Sequence, residues 1–206
     1  MRVGIVDYGM GNLGSVRRAL EDLGVEPVIA EHPAALAGVD RMVLPGVGAF
    51  GEAMARLRSG GWEDFLHRQV RHEGKVLLGI CLGMQMLGAS SDENGMTTGL
   101  GFLPGHVRRL DAMGCALRIP HVGWNEVRFR EGASLFTGIP QAVDFYFVHS
   151  YALEPLGEGV CATVSYGSDM AAAVEHGRVL GTQFHPEKSS AAGCQVLRNF
   201  LRVPSC

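Results

Sequence analysis

The fold is decided by the stretch Lys75-Val-Leu-Leu-Gly-Ile-Cys81-Leu-Gly-Met-Gln85. Residues 75–79 have the character of a short buried strand, and residues 82–87 begin a helix. The glycines around Cys81 give the spacing Gly-x-nucleophile-x-Gly, which is typical of a nucleophile elbow. Such a turn exposes the central side chain, and the positive end of the following helix favours a thiolate there. The alternative is an ordinary buried structural cysteine.

Length and composition indicate one globular domain. The chain has 206 residues, 47% of them hydrophobic, and 29 glycines, which suits a sizeable core with many tight turns. A net charge of -3 gives no reason to expect nucleic acid or an anionic membrane as a partner. The cysteines are widely spaced without a Cys-x-x-Cys pair, which argues against a disulfide framework and a structural zinc site. With no signal segment and no apolar run near about 18 residues, we expect a cytoplasmic chain without a membrane span.

Strands and helices alternate in the first half of the chain. We predict strands over residues 3–7, 25–30, 41–44 and 75–79, with helices over 13–23, 49–58 and 62–72. After about Met96 short strands follow one another, at 106–110, 125–129, 144–151, 159–166, 170–175 and 179–183, before a closing helix at 192–201. This pattern predicts a single α/β domain with a mixed, mostly parallel sheet, helices on both faces and a strand-rich second half.

The turn Gly9-Met-Gly11-Asn-Leu-Gly14 has two interpretations. It matches Gly-x-Gly-x-x-Gly between a predicted strand and a helix, and Glu31 follows about twenty residues later, as in a dinucleotide-binding site. Alternatively it is a tight turn that needs glycine for its backbone angles. The nucleotide interpretation leaves Cys81 and the C-terminal motif His185-Pro-Glu187 without a role.

The second chemical signal is the segment Gly181-Thr-Gln-Phe-His185-Pro-Glu187, which follows a predicted strand. Open α/β sheets place their sites at the carboxyl ends of strands. His185 suits a thiol nucleophile, because an ordinary histidine pKa of about 6.5 lets it exchange a proton near neutral pH. Glu187 can accept a hydrogen bond from the other ring nitrogen, which completes the logic of a triad with Cys81. On its own, His-x-Glu is usually a surface turn.

Acyl transfer also needs donors for an oxyanion. The backbone of Pro45-Gly-Val-Gly48, after a parallel strand, and the N–H of Leu82 are the natural candidates. An ordinary turn between strand and helix is the alternative for the glycine-rich segment.

These motifs together carry a family resemblance. The chain resembles the class I (triad) glutamine amidotransferases in Gly79-Ile-Cys81-Leu-Gly-Met-Gln85, His185-Pro-Glu187 and Pro45-Gly-Val-Gly48. From residue 3 to about residue 201 it resembles, more narrowly, the glutaminase subunits of imidazole glycerol phosphate synthases, from histidine biosynthesis. The segments are Asp7-Tyr-Gly-Met-Gly-Asn-Leu13, Leu44-Pro-Gly-Val-Gly-Ala-Phe50, His121-Val-Gly-Trp-Asn125, Tyr146-Phe-Val-His-Ser-Tyr151 and His185-Pro-Glu-Lys-Ser189. Ser190 departs from the family, which often has glutamine there.

The resemblance implies a flavodoxin-like amidotransferase domain over residues 1–206, with no cofactor and no metal. By similarity, Cys81 attacks the side-chain amide of L-glutamine, His185 protonates the departing ammonia and Glu187 holds His185. The implied oxyanion hole comprises Val47, Gly48 and Leu82, and the implied substrate contacts are Gly48, Gln85, Glu93, Ser150 and Tyr151. Ser150 as an ordinary strand residue remains an alternative.

The resemblance also implies a heterodimer with a (β/α)8-barrel cyclase subunit. That subunit would use the ammonia to make imidazole glycerol phosphate and an aminoimidazole carboxamide ribotide. Trp124 suits an aromatic interface anchor, with a core position as the alternative. The residues implied at the interface or the ammonia exit are Asn12, His121, Gly123, Trp124, Asn125, Tyr146 and Lys188.

Other functions stay open at this point. Within the family, the alternative is the glutaminase subunit of another synthase, for instance pyridoxal phosphate synthase, and the segments His121–Asn125 and Tyr146–Tyr151 favour the histidine-pathway member over it. The turn from Gly9 to Gly14 keeps a nucleotide-binding or oxidoreductase module as an alternative from another class. A catalytically silent partner-binding subunit is the third, against which the intact Cys81, His185 and Glu187 argue.

Overall fold

A computed structural model describes residues 1–154 and 159–204 of the chain. The helices are α1 (Leu13–Glu21), α2 (Phe50–Ser59), α3 (Trp62–Arg71), α4 (Leu82–Leu87) and α5 (Ser190–Phe200). The strands of the first half are β1 (Val3–Val6), β2 (Pro27–Ala30), β3 (Arg41–Gly46), β4 (Val76–Cys81), β5 (Ser90–Ser91) and β6 (Thr97–Thr98). Those of the second half are β7 (His106–Arg109), β8 (His121–Phe129), β9 (Val143–His149), β10 (Tyr151–Leu153), β11 (Val160–Ser165), β12 (Asp169–His176) and β13 (Val179–Thr182).

The main sheet has nine strands in the order β2-β1-β3-β4-β13-β12-β11-β8-β9. Its first five strands are mutually parallel, and their order is that of a flavodoxin-like doubly wound sheet. The remaining strands extend the sheet in antiparallel fashion. The predicted α/β domain with a mixed sheet is therefore confirmed, and the antiparallel extension accounts for the strand-rich second half.

Buried apolar residues cover the sheet on both faces. Successive residues of a strand point to opposite faces of the sheet, so Val43 of β3 packs in one hydrophobic cluster and Leu44 in the other. The cluster containing Val43 includes residues of α1 and α5, while the cluster containing Leu44 includes residues of α2 and α3. Helices therefore lie on both faces, as predicted.

Several boundaries differ from the sequence-based expectations. Strand β3 continues through Pro45 and Gly46, which pair with Ile80 and Cys81 of β4. Proline is accepted there because pairing with β1 has already ended at Val43. A second sheet, in the order β10-β7-β5-β6, includes two-residue strands at 90–91 and 97–98 that the sequence did not predict.

Two smaller expectations concern compartment. Among the described residues, no helix is both long and apolar enough to cross a membrane. Cys81, Cys115, Cys161 and Cys194 are free thiols, and Cys206 lies outside the described residues.

Candidate active site

Cys81 sits at a sharp turn between β4 and α4. Its backbone has φ 55° and ψ -111°, which an L-residue adopts rarely and at a cost in strain. The flanking glycines permit this turn: a Cβ on Gly79 would lie 2.7 Å from the backbone of Gly83, and one on Gly83 would lie 1.8 Å from the Leu44 oxygen. The nucleophile elbow predicted from the Gly-x-Cys-x-Gly spacing is therefore present.

His185 follows β13, the strand that pairs with β4, so it reaches the same sheet edge as Cys81. Its Nδ1 lies 2.7 Å from Oε1 of Glu187, and the two side chains are only 3% and 1% exposed. The short 3-10 turn Pro186–Lys188 brings Glu187 within hydrogen-bond distance of the His185 ring. Because the carboxylate can only accept, Nδ1 donates, and the buried Nε2 has no well-formed hydrogen bond among the described residues.

The environment of His185 favours the protonated ring. Burial alone would lower the pKa of His185, but interactions with the Cys81 sulfur and the Glu187 carboxylate outweigh it and raise the pKa from 6.5 to about 9. With its pKa raised in this way, the His185 imidazole is protonated at neutral pH, beside the Cys81 sulfur.

This raised pKa gives a prediction about pH dependence. We expect Glu187→Gln to lower the pKa of His185 from about 9, as followed by NMR of the labelled imidazole. Because the folded-state pKa exceeds the unfolded value, the protonated ring stabilises the fold below pH 6.5, and this contribution disappears as the pH rises towards 9. Urea unfolding should thus show a larger stability loss between pH 6.5 and 9 for the wild type than for the variant. Equal stability losses in the wild type and the variant would show that Glu187 does not raise the pKa of His185.

A cavity of about 410 Å³ opens beside Cys81 and His185. It brings together every predicted oxyanion and substrate residue: Val47, Gly48, Leu82, Gln85, Glu93, Ser150 and Tyr151 line it, with Pro120, Val148 and His149. Gly48 has φ 103°, a conformation that favours glycine. Cys81 is 6% exposed, so it is largely buried, but the part it exposes belongs to this cavity.

Gln85 and Gln183 form a buried amide network under the cavity. Nε2 of Gln85 donates to the Tyr151 carbonyl at 2.7 Å and to Oε1 of Gln183 at 3.0 Å. Nε2 of Gln183 in turn lies 3.7 Å from Sγ of Cys81. Gln183 is a site residue that no sequence motif predicts; its only signal is its place two residues before His185 at the end of a buried strand.

Glu93 reaches the cavity from the small second sheet. Its Oε2 accepts a hydrogen bond of 2.7 Å from the N–H of Phe50, the first residue of α2, which has no side-chain cap of its own. A carboxylate accepts several hydrogen bonds, so Glu93 keeps acceptor capacity for a ligand. This hydrogen bond to the first residue of α2 fixes the Glu93 side chain at the cavity wall.

The residues predicted for an interface divide into two groups. Trp124 and Tyr146 pair across β8 and β9 with ring centroids 6.0 Å apart, and Nζ of Lys188 lies 5.7 Å from the Tyr146 ring centroid. Trp124, which is 52% exposed, is therefore not a core residue. His121 points to the opposite face of β8 and is only 2% exposed, so its side chain does not belong to this surface.

The other predicted interface positions lie within β8 and at the start of α1. Gly123 has φ 138°, and Asn125 donates to the Ser165 carbonyl at 3.0 Å. Asn12 caps α1, accepting from the N–H of Ser15 at 3.4 Å. All three are partly exposed.

The turn from Gly9 to Gly14 has a structural explanation. Gly9 has φ 85°, and a Cβ there would lie 2.7 Å from the Arg56 guanidinium. The third glycine of a dinucleotide fingerprint serves close helix–strand packing. At Gly14, however, nothing lies within 4 Å of an added Cβ. The turn therefore lacks one physical feature of a nucleotide site.

Comparison with known protein families matches residues 4–203 to the family described as glutamine amidotransferase class-I. The chain belongs to the class I glutamine amidotransferase family. It is 47% identical over 199 residues to the imidazole glycerol phosphate synthase subunit HisH of Moorella thermoacetica, covering 96% of this chain and 93% of the relative. The Bacillus subtilis protein of the same name is 44% identical over 205 residues, covering 98% and 96% of the two chains. The narrower resemblance expected from the sequence is thus confirmed.

Solved structures agree on the fold of this amidotransferase. A chain in the structure of PurLQS from Thermotoga maritima superposes with a TM-score of 0.76 at 21% identity, covering 97% of both chains. At that identity the likeness concerns the fold alone.

Proposed function

We propose that this chain hydrolyses L-glutamine to glutamate and ammonia through Cys81, His185 and Glu187, and passes the ammonia to a cyclase subunit. The observation that carries the proposal is that Cys81 and His185 face one cavity, with Glu187 bound to the far side of the imidazole, in a relative of HisH subunits. Residues 1–206 would form one amidotransferase domain that works in the cytoplasm, where the free thiols of its described cysteines stay reduced.

The steps of glutamine hydrolysis follow from a thiolate on Cys81 and a protonated imidazole on His185. The Cys81 thiolate attacks the side-chain amide carbon, and the carbonyl oxygen becomes an oxyanion. His185 donates its Nε2 proton to the nitrogen, the C–N bond breaks and ammonia leaves a thioester on Cys81. Water then gives a proton back to His185 and attacks the thioester, releasing glutamate and the thiolate. Glu187 keeps Nδ1 as the donor, so Nε2 remains the atom that exchanges protons.

The oxyanion donors lie next to the sulfur. Leu82 is the first residue of α4, where backbone N–H groups have no partner within the helix. Val47 and Gly48 line the same cavity as Leu82. The glycine at position 48 permits a rotation of this exposed segment that would bring an N–H to the oxyanion.

Charged and polar groups at the wall suit free glutamine. The Glu93 carboxylate would bind the α-ammonium, while Ser150 and the backbone beside it would bind the α-carboxylate. Gly48, Gln85 and Tyr151 complete the contacts to the carbon chain. The roles rest on the position of these residues around one cavity that ends at Cys81.

An apolar surface supports the partner proposal. Val122, Trp124, Val148 and Val47 are exposed hydrophobic residues, and Val47 and Val148 also line the cavity. Apolar side chains beside the site suit a partner that covers it and receives ammonia without passing it to water. We propose that this partner is a (β/α)8-barrel cyclase and that Asn12, Gly123, Trp124, Asn125, Tyr146 and Lys188 contribute to the interface or the ammonia exit.

Labelling with a glutamine-derived diazo-ketone tests this function. We expect one adduct per chain, located on Cys81 by peptide mass spectrometry, because only this thiol adjoins the cavity among the described cysteines. Glutamate release should rise when the cyclase subunit and its ligand are added. An adduct elsewhere, or none with the cyclase present, would refute the proposed activity.

A further inference from the structure

Two buried histidines bridge the strands β8 and β9, and one of them, His149, lines the cavity. His121 and His149 face each other in register, and Nδ1 of His121 lies 3.0 Å from Nε2 of His149. They are 2% and 6% exposed. The His121 ring is also stacked between Phe147 and Tyr166, with centroid distances of 4.9 and 4.0 Å.

The hydrogen bonds of this pair permit one arrangement of protons. Nδ1 of His149 lies 3.0 Å from the Tyr151 carbonyl oxygen, which can only accept, so Nδ1 of His149 donates. In the neutral ring Nε2 of His149 then accepts, and Nδ1 of His121 must donate to it. Nε2 of His121 is left as an acceptor, and the Asn125 amide nitrogen lies 3.4 Å from it. Donation therefore runs in one direction from β8 to Tyr151.

Electrostatics keeps both rings neutral. Burial lowers the pKa of His121 to about 4 and that of His149 to about 3. Protonation of His149 would place two N–H groups against each other across the 3.0 Å contact, and protonation of His121 would turn its Nε2–H towards the Asn125 amide N–H. The single tautomeric arrangement is thus the one present at neutral pH.

This series of hydrogen bonds ends at the Tyr151 carbonyl oxygen, which is also hydrogen-bonded to Gln85 of α4. The Tyr151 carbonyl accepts from both His149 and Nε2 of Gln85, at 3.0 and 2.7 Å. Through Gln183, the Gln85 amide connects to the sulfur of Cys81. His149 itself lines the cavity next to Ser150. One carbonyl therefore fixes the wall at 150–151 relative to α4.

We propose that His149, with its tautomer set by His121, is a positioning residue that holds the Ser150–Tyr151 wall and the Gln85 amide in place for glutamine. The proposal rests on the proposed glutaminase function and adds two histidines to it, one of them expected at an interface from the sequence. Ring packing alone would explain buried aromatic side chains here, but not an unbroken series of donors ending at the cavity wall.

Two amide substitutions of His149 test the roles of its two ring nitrogens separately. In His149→Asn the amide nitrogen lies near the position of Nδ1 and can still donate to Tyr151. In His149→Gln the amide reaches the position of Nε2, and the Tyr151 carbonyl loses this donor. His67→Leu is the matched control, because His67 is a partly buried histidine of α3 whose ring contacts that of Phe102 and does not line the cavity.

Two thiol reagents read out the wall and the sulfur separately. Iodoacetamide reacts with the Cys81 thiolate without binding as a glutamine analogue does. The glutamine-derived diazo-ketone must first bind to the Ser150–Tyr151 wall of the cavity. We expect His149→Gln to slow Cys81 labelling by the diazo-ketone about tenfold, with a higher half-saturating concentration, because a buried carbonyl has lost a donor. His149→Asn should stay closer to the wild type. Iodoacetamide rates, and both rates in His67→Leu, should not change.

The outcomes distinguish this inference from the function it rests on. If the wild type is not labelled by the diazo-ketone at Cys81, the proposed function fails. If the wild type is labelled and His149→Asn and His149→Gln behave alike, or both reagents slow in parallel, the positioning role is refuted. Thermal unfolding of each variant shows whether its fold is intact, and His121→Leu should act in the same direction as His149→Gln.

Discussion

Replacing Cys81 by alanine is expected to abolish glutamine-dependent ammonia formation, by at least about 10⁴-fold, since removal of a triad nucleophile leaves only binding and oxyanion stabilisation. The complex with the cyclase should still make its product from added ammonium salts. Glutamate release and product formation from each nitrogen source are the measurements. This split arises because the thiolate supplies ammonia but takes no part in its later use.

The control for that experiment is another free thiol. Cys194 lies on α5, is partly exposed and does not line the cavity, so Cys194→Ala should retain both activities. Loss of the ammonium-dependent reaction in Cys81→Ala would mean that the cysteine supports assembly of the complex. Retention of the glutamine-dependent reaction would exclude it as the nucleophile.

The candidate site was predictable where its geometry is local. The turn at Cys81 depends on Gly79 and Gly83, which lie within a few residues and leave a recognisable spacing. Glu187 reaches His185 because only one residue separates them. The residues that make these contacts are neighbours in the sequence, so the spacing of the motif predicts the contacts before the fold is known.

The parts that sequence did not predict depend on distant partners. Strands β5 and β6 are two residues each, too short for periodicity, and form only because β7 pairs with β5. Glu93 caps α2 from forty-three positions away, and His121 faces inward because β8 pairs with β9 in one register. Which face of a strand is buried follows from that register, and a single residue's shift would reverse it.

The same local geometry predicts which glycine is least replaceable. In Gly83→Ala the new methyl carbon would lie 1.8 Å from the backbone oxygen of Leu44. That oxygen belongs to β3, which is paired with β4 through Leu44 and Gly79, so it cannot withdraw without disturbing the central sheet. Helix α4 would have to move instead. We expect destabilisation of about 3 kcal/mol or more, the upper end for overpacking a rigid interior.

Gly14→Ala is the matched substitution. Gly14 lies in α1 with no atom within 4 Å of an added Cβ and no positive φ, so alanine should be neutral or stabilise by up to about 1 kcal/mol. Urea unfolding of the isolated chains, followed by fluorescence of the buried Trp62, measures both effects. A loss below about 1 kcal/mol for Gly83→Ala would show that α4 can shift cheaply. In that event the strained backbone at Cys81 would have to be maintained by contacts other than the close approach of helix and strand.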